Sequence, residues 1–261
     1  MDVLTPYLFS GALMIAVAAC VLIGWRFGTG AAWRWFALGA LTWFVAMLGK
    51  VVSAWIFHPL LLPILSENLS YAFYMVAGSI YIGALTGVFE VGFVWVLGRL
   101  IPNAFRHRSA AIAVGVGAGA VEAFLLGAGM VLGYAASLGS EQVHSQLSAM
   151  LHGSYELNPV GWAIAPVERV LAIACHVGSR ALVFYGLATG RGRYFWWGFL
   201  LLTAIDVVAG YVHLSGFMQL HSTWWVELAL LPFALVSIVI TRALYATWPS
   251  PSVSATERTG A

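Results

Sequence analysis

The sequence predicts an all-α fold, a polytopic membrane bundle of seven transmembrane helices. Three observations carry this. Of the 261 residues, 61% are hydrophobic and only 8% charged, against about 25% charged in a soluble domain, and the mean hydropathy is +0.90. The apolar residues gather in seven runs of roughly 20 residues or more, the length a helix needs to cross a bilayer. The arginines outside those runs fall only in every second connection between them. No nucleotide loop, zinc-finger spacing or HExxH is present, and no nucleic-acid partner is expected.

In chain order, the spans are expected at roughly 6–25, 34–57, 77–99, 109–134, 161–188, 194–215 and 223–245. The first follows Met1-Asp2 without a basic segment or a small-residue cleavage site, so it is read as a retained span. The first connection carries Arg26 and Arg34, the third Arg99, Arg106 and Arg108, and the fifth Arg191 and Arg193. Arg242 lies near the end of the seventh span. Positive charge collects on the cytoplasmic side, so the N-terminus is expected outside and the C-terminus inside. His58–Tyr74, with Pro59 and Pro63, reads as an irregular outer loop with short interfacial pieces. Ser140–His152 places Val143, Leu147, Met150 and Leu151 on one face and Glu141, Gln142, Gln146 and Ser148 opposite, the pattern of an amphipathic surface helix. Cys20 and Cys175 both fall in apolar spans and are expected to be free thiols. Residues 1–248 are expected to form a single transmembrane domain, with 249–261 a disordered cytoplasmic tail. The expected location is a bacterial or archaeal cell membrane, with the lipid bilayer as surroundings.

Small residues mark where helices approach one another. Ala111, Gly115, Gly119, Ala123 and Gly127 repeat every four residues, as do Ser79, Gly83 and Gly87, and such stripes let helix backbones pack closely in lipid. Glu90 is seven residues from Gly83 and Glu122 seven from Gly115. Each acid is therefore expected on its helix's packing seam, pointing into the bundle.

Charged groups at membrane depth cost about 2.5–3.5 kcal/mol each on insertion scales and normally face protein or trapped water. The richest stretch is Val167–Arg180, with Glu168, Arg169, His176 and Arg180. With spans 3 and 5 running inward and spans 4 and 6 outward, Glu90, Glu122, His176 and Asp206 are expected near one level. Lys50, Glu168, Arg169 and Glu227 are expected nearer the outer side as a charge-balanced brace, and Arg180 is expected to snorkel to the inner surface. The level group then lacks cations of its own. It could hold protons, bind a metal or activate water.

Five stretches carry a family resemblance: GVFEVGFVW (Gly87–Trp95), GVGAGAVEA (Gly115–Ala123), VERVLAIACHVGSRALVFY (Val167–Tyr185), LLTAID (Leu201–Asp206) and WVELAL (Trp225–Leu230). In order and spacing they resemble the YhfC family of intramembrane metalloproteases, relatives of the CAAX-processing and bacteriocin-processing peptidases and of PrsW. The resemblance covers roughly residues 80–235. It implies a multi-helix fold with a peptidase site inside the membrane, and a membrane-embedded or membrane-proximal polypeptide as substrate. Glu90 matches the first glutamate of the first motif, but Val91 replaces the second and Val94 the arginine. Glu122 matches the second motif's glutamate, with Ala118 at a position often held by histidine. Glu168, Arg169 and His176 match the third motif fully. In the last motif Asp206 remains and Leu202 replaces a histidine.

On this resemblance Glu90, His176 and Glu122 are the candidate catalytic residues, with Asp206, Glu168 and Arg169 orienting or bracing them. Glu90 and His176 are the candidate ligands of a divalent metal such as zinc. A metal-free site would use Glu90 as base, with His176 or Arg169 facing the oxyanion. Two other readings stay open: a non-catalytic protein of the same fold that binds a partner's transmembrane segment, and a proton-coupled transporter using Glu90, Glu122 and Asp206 as a relay.

Overall fold

The computed structural model describes residues 3–101, 107–158 and 160–249. The tail expected over 249–261 lies, apart from Pro249, outside the described residues. Every regular element among them is helical: α1 Leu4–Thr29, α2 Trp33–Asn68, α3 Tyr71–Thr86, α4 Phe93–Leu100, α5 Arg108–Gly139, α6 Glu141–Leu157, α7 Ile164–Thr189, α8 Arg193–Ser215, α9 Phe217–Leu220 and α10 Trp224–Thr247. A π-helical turn, Gly87–Gly92, joins α3 to α4 and makes one span of Tyr71–Leu100. Seven helices are long and apolar enough to cross a membrane. The chain is an integral, multi-pass membrane protein.

Two of the seven are central. α5 packs against α1, α2 and α7, and α7 packs against α5, α8 and α10, while α3 lies on α8. Residues 110–120 of α5 are buried without interruption, as expected for a helix surrounded on all sides. Glycine makes this possible. A Cβ added at Gly117 would collide with the Phe36 carbonyl, and one at Gly39 with the Val114 carbonyl, so α2 and α5 cross with their backbones in contact. Gly115 and Gly119 lie against Val177 and Ile173 of α7, and Gly127 lies against Gly11 of α1. The predicted stripe on α5 therefore serves two neighbours in succession. The outward faces keep large apolar side chains, among them Phe44, Leu48, Trp55, Leu235 and Val239, which suit lipid.

One element departs from expectation. His58–Tyr74 is not an irregular loop. α2 runs through Pro59 and Pro63 to Asn68, and α3 begins at Tyr71. Proline removes one helical hydrogen bond and crowds the carbonyl four residues back. Here side chains satisfy carbonyls near the helix end: Ser66 Oγ donates to Pro63 O at 2.9 Å and Asn68 Nδ2 to Ile64 O at 2.8 Å. The carbonyls that Pro59 and Pro63 leave without a helical donor are those of Trp55 and Pro59, and membrane helices tolerate such interior prolines.

The amphipathic α6 is present and begins at a serine cap, with the Val143 N–H donating to Ser140 Oγ at 3.4 Å. Leu147 and Leu151 pack onto Val3, Leu4 and Tyr7 at the start of α1. Met150, expected on the same face, is exposed. At the other end of the bundle α7 closes on Gly190, whose φ of 69° is left-handed and allows the tight turn into α8. Both cysteines are free, Cys20 exposed and Cys175 buried.

Candidate functional site

A cavity of about 100 Å³ lies between α2, the π turn, α5, α7, α8 and α10. Lys50, Thr86, Glu90, Glu122, Glu168, Arg169, His176 and Asp206 line it with polar groups. Leu171, Ala172, Cys175, Leu202, Ile205, Ala209 and Leu230 supply an apolar wall. All six residues singled out in the sequence as catalytic, orienting or bracing are among these. Glu227 is buried on α10 outside the lining, and its Oε2 has no partner among the described residues.

Glu90 is the most enclosed of the acids, with 3% of its side chain exposed. It sits in the π turn. Such turns interrupt helices frequently at functional sites, and the wider turn takes Glu90 off the glycine line. Gly83 and Gly87 lie against Thr203 and Phe199 of α8, whereas Glu90 reaches α2 and α7. Its Oε1 accepts from Lys50 Nζ at 3.2 Å, and its Oε2 accepts from Arg180 Nη2 at 3.0 Å. His176 Nδ1 stands 3.7 Å from the same Oε2 without a hydrogen bond.

Glu122 is the second centre. Its Oε1 accepts from Arg169 Nη1 at 2.6 Å and its Oε2 pairs with His176 Nε2 at 2.7 Å. An ionised carboxylate only accepts, so the imidazole Nε2 carries the proton in this bond. Arg169 also donates to Glu168, which joins the two acids through one guanidinium. Asp206 completes the ring on α8: Thr86 Oγ1 donates to its Oδ2, and Lys50 Nζ approaches the same oxygen at 3.5 Å. Glu122 and Asp206 have 19% and 30% of their side chains exposed. These two acids, rather than Glu90, are accessible from the cavity.

Three expectations need correction. Lys50 is not part of an outer brace with Glu168 and Arg169. It bridges Glu90 and Asp206, because α2 extends to Asn68 and places Lys50 in its middle: 17 residues from Trp33 (50 − 33) and 18 from Asn68 (68 − 50). Arg180 does not snorkel. It is 1% exposed and held by Glu90 and by Ser179 Oγ at 3.0 Å. The acids at this level do not lack cations, since Lys50, Arg169 and Arg180 all reach them. Sequence reasoning missed Arg180 and Thr86 as members of the site. Arg180 lies one turn after His176 and Thr86 one turn before Glu90, which was the available signal. Lys50 is also the only lysine in the chain.

The four positions where the sequence departs from the family pattern are all apolar and buried: Val91, Val94, Ala118 and Leu202. Val94, where the resemblance implies an arginine, supplies no cation, and Glu90 meets a guanidinium from Arg180 of α7.

The donor set does not fit a divalent metal as it stands. A catalytic zinc takes three protein ligands and keeps an open position. Here there is one imidazole, its Nε2 committed to Glu122, and both oxygens of Glu90 are held by cations. Among the described residues no group of three His, Cys, Asp or Glu side chains converges so as to hold an ion. A divalent ion on Glu90 would stand about 4 Å from an ammonium or guanidinium, a repulsion of about 8 kcal/mol at an effective dielectric of 20. The expected pair Glu90 and His176 therefore has neither a third ligand nor a free carboxylate oxygen facing the cavity.

No curated protein and no solved structure matches the chain. The YhfC intramembrane metalloprotease family matches it over residues 13–230, which takes in five of the seven long helices, parts of the first and the last, and the whole of the cavity. That range is most of the 261 residues, and the chain belongs to the YhfC intramembrane metalloprotease family.

Proposed function

We propose that the chain is a membrane peptidase that hydrolyses a membrane-embedded polypeptide at the Glu122–His176 pair. The family description supports peptidase activity and a membrane-embedded substrate. The observation that carries the finer reading is the 2.7 Å contact between His176 Nε2 and Glu122 Oε2 on the wall of a partly polar cavity. Both oxygens of Glu122 are engaged, but each keeps a second lone pair, and the side chain is accessible from the cavity. A base must come within about 2.6–3.2 Å of its water, and Glu122 meets that requirement better than the enclosed Glu90.

In this reading Glu122 takes one proton from a cavity water as the water oxygen attacks the scissile carbonyl carbon. Lys50 Nζ, which lines the same cavity, turns one N–H from its long 3.5 Å contact with Asp206 Oδ2 to the oxygen that gains charge. The C–N bond then breaks, and the proton held on Glu122 passes to the departing amine nitrogen. His176 Nε2–H and Arg169 hold Glu122 in place through both half-reactions, and Asp206 and Thr86 hold Lys50. Glu90 anchors Lys50 and Arg180. No metal takes part in any of these steps.

The test is cleavage of single-span reporter proteins co-expressed with the chain, read by mass spectrometry of the products. Glu122→Gln and His176→Ala should each reduce cleavage by at least 10²-fold, the lower bound of general acid–base contributions, with the proteins still folded. Cleavage that persists in folded Glu122→Gln would refute the assignment. The saturated ion pairs also suit a non-catalytic protein that binds a partner's transmembrane segment. That reading takes over if wild type leaves every reporter intact but co-purifies with one of them.

A further inference from the structure

We propose that Lys50 and Arg180 exclude divalent metal from this centre, so that side-chain cations do here what a metal would do elsewhere in the family. The inference deepens the peptidase reading and rests on it for what the centre does, but not for what the centre binds.

Glu90 is enclosed, and each of its oxygens already has a cation on it, the Lys50 ammonium at 3.2 Å and the Arg180 guanidinium at 3.0 Å. Asp206, the other acid within reach of a common ion, shares the same Lys50. Arg169 holds Glu122 and Glu168. Three fixed cations are thus distributed over four acids, which leaves one net negative charge in the cluster. A zinc site needs its anionic ligands unneutralised, because the ion's own charge is what they balance.

The two cations differ in how they can be displaced. Arg180 is fully buried, its planar fork tied to Glu90 and to Ser179 on its own helix. Lys50 is a flexible point charge on a long stem, 20% exposed to the cavity. Lys50 is therefore the removable part of the barrier. Its loss would free Glu90 Oε1 and leave Asp206 Oδ2 with the neutral Thr86 hydroxyl alone, near the unpartnered Nδ1 of His176. Two carboxylates and an imidazole are ligand types that bind zinc or cobalt, and because no three such side chains among the described residues converge as they stand, these would have to close around the ion. Lys50→Met should convert a metal-excluding centre into a metal-binding one, and Lys50→Arg should not.

The experiment measures the metal content of detergent-purified protein by mass spectrometry, followed by titration with Co²⁺ under absorbance and with Zn²⁺ under thermal unfolding. Wild type and Lys50→Arg should retain no stoichiometric metal, show no cobalt band, and unfold at the same temperature with Zn²⁺ or with chelator. Lys50→Met should take up close to one equivalent of Co²⁺, and adding His176→Ala should abolish the uptake. Wild type that carries one equivalent of metal, lost on His176→Ala, would overturn the inference whether or not Lys50→Met folds. A folded Lys50→Met that binds nothing would overturn the role given to Lys50. Reporter cleavage is scored separately with and without chelator. Cleavage by metal-free wild type supports both readings. Metal-free wild type that cleaves nothing, with Lys50→Met gaining metal, sinks the peptidase reading and leaves metal exclusion standing.

Discussion

Replacing Arg180 by methionine should cost the fold about 3 kcal/mol. Arg180 is 1% exposed, and its two donated bonds, to Glu90 Oε2 and to Ser179 Oγ, are each 3.0 Å long. Removing one partner of a buried ion pair typically costs about 3–5 kcal/mol, because the other charge is stranded. Glu90 would keep Lys50 at 3.2 Å, which places the loss at the low end. Methionine fills much of the space of the arginine stem, so the cavity left behind is small. The control is a double variant. Glu90→Gln in the Arg180→Met background removes the stranded charge, so the pair of changes should be less damaging than the two single losses added together, by about 2 kcal/mol. The assay is equilibrium unfolding in mixed micelles, with the four proteins of the cycle measured side by side. Arg180→Met within about 0.5 kcal/mol of wild type, or a double variant equal to the sum of the singles, would show that the Glu90–Arg180 pair does not hold α7 to the π turn.

Glu168→Gln should cost less than about 1 kcal/mol, the range of an exposed ion pair. Glu168 is 37% exposed and Arg169 keeps Glu122 at 2.6 Å; a loss of several kcal/mol in the same unfolding assay would mean that Arg169 depends on both acids. Gly117→Ala should destabilise by about 1–3 kcal/mol through overpacking against the Phe36 carbonyl. Gly129→Ala on the same helix meets open space and should be neutral or stabilising by up to about 1 kcal/mol. Equal unfolding temperatures for the two alanine variants would contradict the α2–α5 crossing. For topology, a reporter fused after Trp248 should behave as cytoplasmic and one inserted near Ser140 as external. The opposite result at both sites would invert the orientation drawn from the arginine pattern.

The number and order of the membrane helices were legible because hydrophobic length is a strong and local signal. The convergence of Glu90, Glu122, His176 and Asp206 was also legible, since polar groups in apolar spans must face inward, and for Glu122 the small-residue stripe of α5 shows which way inward is. What the sequence hid was set by single-residue details of backbone. Two prolines spaced four apart resemble a loop, and only the side-chain bonds of Ser66 and Asn68 show how the helix end is satisfied. A second span that ends at residue 57 puts Lys50 near the outer side, out of reach of Glu90, whereas α2 runs on to Asn68. The error in one boundary thus became an error about the charge balance of the site.

The π turn had a similar effect on Glu90. Seven residues of regular helix return a side chain almost to its starting face, so Gly83 and Glu90 were expected to share a neighbour. The extra residue per turn within Gly87–Gly92 breaks that register. The glycines stay on α8, and Glu90 swings to the gap between α2 and α7, where Lys50 and Arg180 wait. This explains how Glu90 meets a guanidinium although Val94 supplies none. In a regular helix Val94 would follow Glu90 by about one turn and could supply a cation from the same strand of side chains. With Glu90 turned toward α7, a cation on that helix is better placed, and Val94 is free to join the apolar core, where it is 1% exposed. The positive charge beside Glu90 comes instead from Lys50 on α2 and Arg180 on α7.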